Sequence, residues 1–328
     1  MHDSKPLLIV MNSSREYGNR VATQVAEEVV PHEEREFEDG EHKIRPLKSV
    51  RNLNVFIIDS LHADASQSVN DKLCRLLFLI GALRDASAGR VIAVVPYLCY
   101  SRKDRKTKPR DPVTTRYVAR MFEAVRTDHL LTMDVHNQAA FQNAFGSMTT
   151  DHLEAMNLFV DHFSFLASHH ELAVVSPDVG GVKRAELFRE ALQRKTDREI
   201  SMGFLQKRRS EGVVTTGSLV GDVKGRTVII IDDLISSGTT LCHAATVCRE
   251  AGAGTIIAAA THGVFSSAAE SILTESAIDR IVVTDTVPPW RLSNAFIESK
   301  MDIVDTAPLF AGAIQCVNWG ESIVDLLS

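Results

Sequence analysis

The chain has 328 residues, 45% hydrophobic and 24% charged, with 36 Lys and Arg against 42 Asp and Glu for a formal net charge of -6. Such a length favours two domains, and the acidic balance excludes a general nucleic-acid binder, so any anion site has to be built locally. The longest apolar runs, such as RVIAVVPYLCY, are far too short to span a bilayer, and MHDSKPLLIVMNSS lacks a signal-peptide core, so no membrane association is expected.

Taken in chain order, short β-branched runs alternate with segments whose apolar residues fall at helical spacing. LLIVMN predicts a strand, GNRVATQVAEEVV a helix, NVFIIDS a strand and KLCRLLFLIGALRDAS a helix. RVIAVVPY, TTRYVARMFEAV and HLLTMDVH continue the alternation. AVVSPD, VKRAELFREALQRK, TVIIIDD, TLCHAATVCREAG, TIIAAATH and RIVVTDT repeat it. The fold class is therefore α/β, with mostly parallel sheets and right-handed crossovers.

The two halves share an order of parts. NVFIIDS leads to a helix, an Ala-Gly turn and a further strand, and TVIIIDD leads to CREAGAGTIIAAATH in the same way. Two copies of one α/β unit are expected, with a break near residues 150–156. Only the second copy carries SSGTT; the first has the longer SLHADASQSVND. One copy keeps a ligand loop and the other serves a different purpose.

That loop follows two adjacent carboxylates, Asp232 and Asp233. Ligands of open α/β sheets sit beyond the carboxyl ends of the strands, where loops enter helix N-termini. Ser236 to Thr240 lie in such a place. Free amides at a helix start favour an anion, Ser237, Thr239 and Thr240 add hydroxyl donors, and Gly238 allows close approach or a positive φ. Carboxylates one turn away can accept hydrogen bonds from neighbouring hydroxyls. A molecule with a phosphate at one end and a vicinal diol at the other, such as a pentose 5-phosphate, fits both. The plain alternative is a capped helix; a Walker A loop is absent from the sequence.

IIIDDLISSGTT resembles the phosphoribosyl pyrophosphate (PRPP) loop of type I phosphoribosyltransferases and of ribose-phosphate diphosphokinases, the PRPP synthetases. VVPYLCYSRKDRKTKPRDPVTT resembles the nucleotide-binding stretch of the synthetases, with Arg102, Asp104, Arg105 and Lys106 in matching places. Guanidinium forks there would bind phosphate oxygens. Lys103 stands where the family usually has Gln. REFEDGEH resembles the family's Phe-x-Asp-Gly-Glu segment, which implies that Phe37 stacks on adenine while Asp39 and Glu41 accept from its amine. In the family this loop reaches a neighbouring subunit, which implies a homo-oligomer, dimer-based and up to a hexamer, with shared active sites.

TMDVHNQAAFQNAFG resembles the Asp-Leu-His signature, and VVSPDVGGVKRAELF the Ser-Pro-Asp-x-Gly-Gly motif. By that resemblance His136 and Asp178 face magnesium ions and the polyphosphate. GFLQKRRSEGVV resembles the mobile catalytic loop, with Lys207 and Arg209 at its two essential positions. Ser236 replaces the third Asp of the common bacterial loop, as in archaeal-type members.

The resemblance implies two tandem type I phosphoribosyltransferase-like domains. Residues 1–153, joined by 306–328, would carry the ATP-binding loops (Phe37, Asp39, Glu41, Arg102, Lys103, Asp104, His136). Residues 154–305 would carry the ribose 5-phosphate loop (Asp232, Asp233, Ser236, Ser237, Gly238, Thr239, Thr240). The implied reaction gives PRPP and AMP from ATP and ribose 5-phosphate, with Mg2+ as cofactor and Lys207, Arg209 and His136 as catalytic residues. A phosphoribosyltransferase consuming PRPP and a non-catalytic regulatory paralogue are the other readings. The five cysteines, 74, 99, 242, 248 and 316, form no CxxC and lie in apolar segments, as expected of buried free thiols in a cytoplasmic protein.

Overall fold

Strands buried on both faces are apolar along most of their length, and NVFII, LAVVS and the first five residues of TVIIIDDLI are buried at every position and apolar at all but one terminal residue each. They form the middle of two parallel sheets. The computed structural model describes residues 5–210 and 213–327, with residues 207–210, 213–217 and 327 described by backbone alone.

The chain divides into two compact units, residues 1–154 with 306–328, and residues 155–305. In the first, strand β1 (Leu7–Val10) runs through a short 3-10 turn (Asn12–Ser14) into α1 (Arg15–Val25). A hairpin follows, β2 (His32–Glu36) and β3 (His42–Pro46), and then β4 (Asn54–Ile58), α2 (Val69–Asp85), β5 (Arg90–Val95) and α3 (Thr114–Ala124). β6 (His129–Met133), α4 (Gln138–Gln142) and β7 (Thr149–Leu153) complete this stretch. The sheet order is β1-β4-β5-β6-β7, all parallel. Its core packs residues such as Ile57, Leu76, Val91 and Phe122, all without solvent exposure.

The second unit opens with α5 (Met156–His169), β8 (Leu172–Ser176) and α6 (Val182–Thr196). β9 (Ser201–Ser210) and β10 (Val213–Val220) then pair antiparallel, followed by β11 (Thr227–Ile235), α7 (Thr239–Glu250) and β12 (Ile256–Gly263). α8 (Ala269–Thr274), β13 (Arg280–Thr284), α9 (Asn294–Lys300) and β14 (Met301–Val304) end it. The sheet order is β10-β9-β8-β11-β12-β13-β14. The chain then returns to the first unit as α10 (Ala307–Trp319) and α11 (Val324–Leu327). There Phe310 meets Tyr17 of α1 edge-on, the Tyr17 hydroxyl lies 2.9 Å from Thr306 Oγ1, and Asn54 Nδ2 donates to Asn318 Oδ1.

The repeat is visible in three dimensions. β1-β4-β5-β6-β7 and β8-β11-β12-β13-β14 follow one order, and each copy inserts a two-stranded antiparallel piece between its first helix and its second sheet strand. In the first copy the insert is the separate hairpin β2–β3. In the second it is β9–β10, which extends the sheet through β8–β9 pairing. QKRR, expected as a loop, is therefore a ladder strand in its backbone, Arg209 pairing with Val214 and Arg208 with Thr215, because the β-branched run VVTT supplies a strand partner. A second departure is Cys74, which is exposed on α2; the other four thiols are buried or half-buried as expected.

Candidate active site

β11 carries its last residues past the point where β8 stops pairing: Ile230 is the final residue opposite β8, while pairing with β12 continues to Ile235. Asp232 and Asp233 lie in that one-sided overhang, with side chains 24% and 5% exposed. Arg184, in the first turn of α6, reaches both. Its Nη1 donates to Asp232 Oδ1 at 3.2 Å and stands 3.5 Å from Asp233 Oδ1. Burial, then the neighbouring Asp233, raises the Asp232 carboxyl well above the ordinary carboxylate range, and the Arg184 charge opposes that rise.

Downstream, Phe265 N donates to Ile235 O and Ser266 N to Ser236 O, which fixes the turn into α7. Gly238 caps that helix at φ 83°, and a Cβ there would lie 2.8 Å from Leu273 Cδ2. Only glycine meets both conditions without strain. Ser237 Oγ lies 2.9 Å from Thr239 Oγ1 and accepts from Thr239 N at 3.4 Å. The amides that open α7 have no helical carbonyl to pair with, and they carry the positive end of a 12-residue helix. An acidic pair, a left-handed glycine and a helix start thus follow one another within nine residues, as the sequence predicts.

The β8–α6 turn has a similar build. Asp178 Oδ1 accepts from Gly181 N at 3.1 Å, and Ser176 Oγ donates to Asp178 O at 2.6 Å. A Cβ on Gly181 would lie 2.8 Å from Ser176 Oγ, 3.8 Å from Arg184 Nη1 and 4.0 Å from Asp178 Oδ1, so this glycine lets the three groups converge. Asp178 is a half-buried carboxylate that fits a hard divalent cation. Among the described residues no group of three or more His, Cys, Asp or Glu is gathered for a metal. Magnesium is commonly held by one or two carboxylates and substrate phosphates, not by an all-protein cage, and Asp178 suits that arrangement better than the exposed imidazole of His136.

The first copy shows what became of the corresponding place. Asp59, next after β4, is fully buried, and its Oδ1 accepts from Ser13 Oγ and Ser14 Oγ at 2.9 and 2.7 Å. Burial pushes its carboxyl up to about 6. In the loop beyond, Asp64 Oδ1 accepts from Ser66 N, Ser66 Oγ and Gln67 N at 2.8 Å each, and Oδ2 pairs with the fully buried Lys72 at 2.8 Å. These donors are spent on a carboxylate of the chain itself. The first copy's loop is filled from within.

The remaining expected residues lie on the first unit. Hairpin β2–β3 presents Phe37, Asp39 and Glu41 at its exposed tip: Phe37 N donates to Glu41 O at 2.7 Å, Glu41 N to Asp39 Oδ1 at 3.0 Å, and Gly40 turns at φ 87°. Arg35 lies over the Phe37 ring at 5.1 Å. The stem docks on α2 through Arg75–Glu36 and through His42 stacked on Phe78.

Arg102, Lys103 and Asp104 follow Tyr100, which takes φ 59°. Asp111 gathers the rest of that loop, accepting from Thr107 N, Thr107 Oγ1, Lys108 N and Lys103 Nζ, and these bonds hold its carboxyl below the ordinary range. Asn137 Nδ2 donates to Asp104 Oδ2 at 2.6 Å, so the basic loop and the His136 loop meet. The structure thus brings Asp104 beside the residue after His136. It joins Asp178 through Gly181 to the guanidinium that holds Asp232 and Asp233. The side chains of Lys207 and Arg209 lie outside the described residues.

Sequence reasoning missed Arg184, Ser176, Asn137 and Asp111. The one usable signal was the cationic pair Lys183-Arg184 at a helix start, where the helix dipole disfavours positive charge.

Fold and site together define a two-domain α/β protein with an acidic pair feeding a helix-start anion loop. The family model described as the N-terminal domain of ribose phosphate pyrophosphokinase matches residues 7–125, and that of the phosphoribosyl synthetase-associated domain matches residues 204–328. A protein named ribose-phosphate pyrophosphokinase 1 from Streptococcus pneumoniae serotype 4 is 37% identical over 313 residues, 94% of this chain and 92% of the relative. The ribose-phosphate pyrophosphokinase of Caldanaerobacter subterraneus subsp. tengcongensis is 36% identical over 318 residues, covering 97% and 96%. A crystal structure of phosphoribosylpyrophosphate synthetase from Mycobacterium smegmatis matches with a TM-score of 0.86 at 31% identity, over 97% of this chain and 100% of the other. The chain belongs to the ribose-phosphate pyrophosphokinase family.

Proposed function

We propose that the chain is a ribose-phosphate diphosphokinase that converts ATP and ribose 5-phosphate into PRPP and AMP. The anomeric hydroxyl oxygen of the sugar forms a bond to the β-phosphorus of ATP. The bond from that phosphorus to the α,β-bridging oxygen breaks, AMP leaves, and the hydroxyl proton passes to solvent. The single observation that carries the reading is the overhang of β11, where two largely buried carboxylates stand directly before an anion-type helix start.

In this reading Asp232 and Asp233 accept from the ribose 2- and 3-hydroxyls, and Ser236, Ser237, Gly238, Thr239 and Thr240 hold the 5-phosphate. Phe37 stacks on the adenine, Asp39 and Glu41 accept from its amine, and Arg102, Lys103 and Asp104 receive the polyphosphate. Lys207 and Arg209 neutralise charge on the transferring group, since such transfers depend chiefly on positioning and electrostatic stabilisation. Asp178 and His136 would hold magnesium, which when bound supplies charge neutralisation to the phosphates. The active form is a cytoplasmic homo-oligomer in which each hairpin tip serves a neighbouring subunit.

The phosphoribosyltransferase and regulatory readings are not favoured, because the family models match at both ends of the chain and the relatives named pyrophosphokinases match over nearly all of it. Incubation with ATP, Mg2+ and ribose 5-phosphate is expected to release AMP and PRPP in equal amounts. Release of ADP, or no nucleotide turnover, would remove this assignment.

A further inference from the structure

We propose that Arg184 is a positioning residue for the sugar: its guanidinium favours the ionised form of the Asp232 and Asp233 pair and orients it to accept a vicinal diol, then yields one face of the pair as the diol binds. This rests on ribose 5-phosphate being the occupant of the site.

Three observations carry it. First, Nη1 alone makes the contact, at 3.2 Å to Asp232 and 3.5 Å to Asp233, and the remaining guanidinium donors have no partner among the described residues. A single shared nitrogen is easier to exchange for a hydroxyl than a two-pronged fork. Second, two neighbouring carboxylates, one buried and one largely buried, disfavour double ionisation. The Arg184 charge opposes the proton that the pair would share; without it that proton is held more firmly and makes one carboxyl a donor, whereas two hydroxyl protons require two acceptors. Third, Arg184 sits in the first turn of α6, where the helix dipole opposes a cation and where no acidic side chain of that turn compensates it. Its place is explained by the acidic pair it faces.

Asp178 in the β8–α6 turn converges with Arg184 on Gly181. On β12 His262 stands opposite Leu234 and bonds Thr286 Oγ1 through Nδ1 at 2.8 Å. The first turn of α7 holds neither acid nor base.

The test uses the full-length chain and its Arg184→Gln and Arg184→Lys variants. Calorimetric affinities for ribose 5-phosphate and 2-deoxyribose 5-phosphate would be measured from pH 6 to pH 9. Loss of the cation should weaken ribose 5-phosphate binding about tenfold or more at neutral pH and move the pH midpoint of binding upward by about one unit. The loss should be smaller for the 2-deoxy sugar, which offers one hydroxyl fewer. Arg184→Lys should recover most of the affinity, and the KM for ATP should stay within about twofold in both.

Should the Gln variant prove unstable, Arg184→Met provides the same neutral comparison. An unmoved pH midpoint in the neutral variant, or equal losses for the two sugars, overturns the proposal while leaving ribose 5-phosphate as the occupant. Failure of the unmodified protein to bind either sugar phosphate overturns the occupant reading, and the role of Arg184 falls with it.

Discussion

Asp232 and Asp233 are asked to do what carboxylates do well, which is to accept hydrogen bonds from two adjacent hydroxyls. Hydrogen bonds to charged groups contribute about 1.5–3 kcal/mol each, so Asp232→Asn or Asp233→Asn should raise the KM for ribose 5-phosphate by roughly 10–100-fold. The KM for ATP should change little, and steady-state kinetics with each substrate varied in turn would show the split. Lys207→Ala should act differently, lowering kcat by about 100-fold or more while ribose 5-phosphate binds nearly as before. An unchanged kcat would remove Lys207 from the chemistry. The acidic pair and the SSGTT loop were legible in the sequence because strand end, glycine and helix start are contiguous. Arg184 was not, because it meets Asp232 across 48 residues and only after β8 and β11 pair. In the sequence VKRAEL looks like the solvated face of a helix.

The start of α7 depends on one backbone conformation. Gly238→Ala places a Cβ at φ 83° and against Leu273, which should cost about 1–2 kcal/mol from the backbone alone and more from the contact. Thermal unfolding would measure it, and a midpoint equal to that of the unmodified protein would contradict the role given to this glycine. Among the elements, the central strands were easy to recognise, since burial on both faces writes continuous apolar runs. Hairpin β2–β3 was not, because HEERE has no apolar residue and HKIRP buries only Ile44, so neither carries an alternating apolar signal. Their pairing is evident only once Arg75 and Phe78 of α2 give the stem something to dock on. The β9–β10 ladder was missed for a related reason. A Lys-Arg-Arg cluster looks like a solvated loop until the VVTT run beside it supplies a partner.

The two copies of the α/β unit bury acids in equivalent places, and this gives the whole molecule a pH dependence of definite sign. Asp59, raised to about 6 by burial, contributes stability that is fully present below its unfolded value near 3.8 and is lost as pH rises through about 6. The difference of about two pKa units corresponds to something on the order of 3 kcal/mol. The raised Asp232 adds a contribution of the same sign in the second unit. Unfolding midpoints should therefore fall between about pH 4 and pH 7, and Asp59→Asn should make that fall smaller. A variant with the same fall would show that Asp59 is not its source.

The repeat also accounts for the division of labour. Asp64 fills the first copy's loop with the chain's own carboxylate, while the second copy's loop is the one proposed to take a ligand. The central claim, that one sugar phosphate spans the acidic pair and the start of α7, is most directly tested by a crystal structure with ribose 5-phosphate. The account predicts the phosphate against the amides of residues 237–240, with the 2- and 3-hydroxyls hydrogen-bonded to Asp232 and Asp233. Phosphate density on the basic loop at residues 102–110 with the acidic pair unengaged would contradict it.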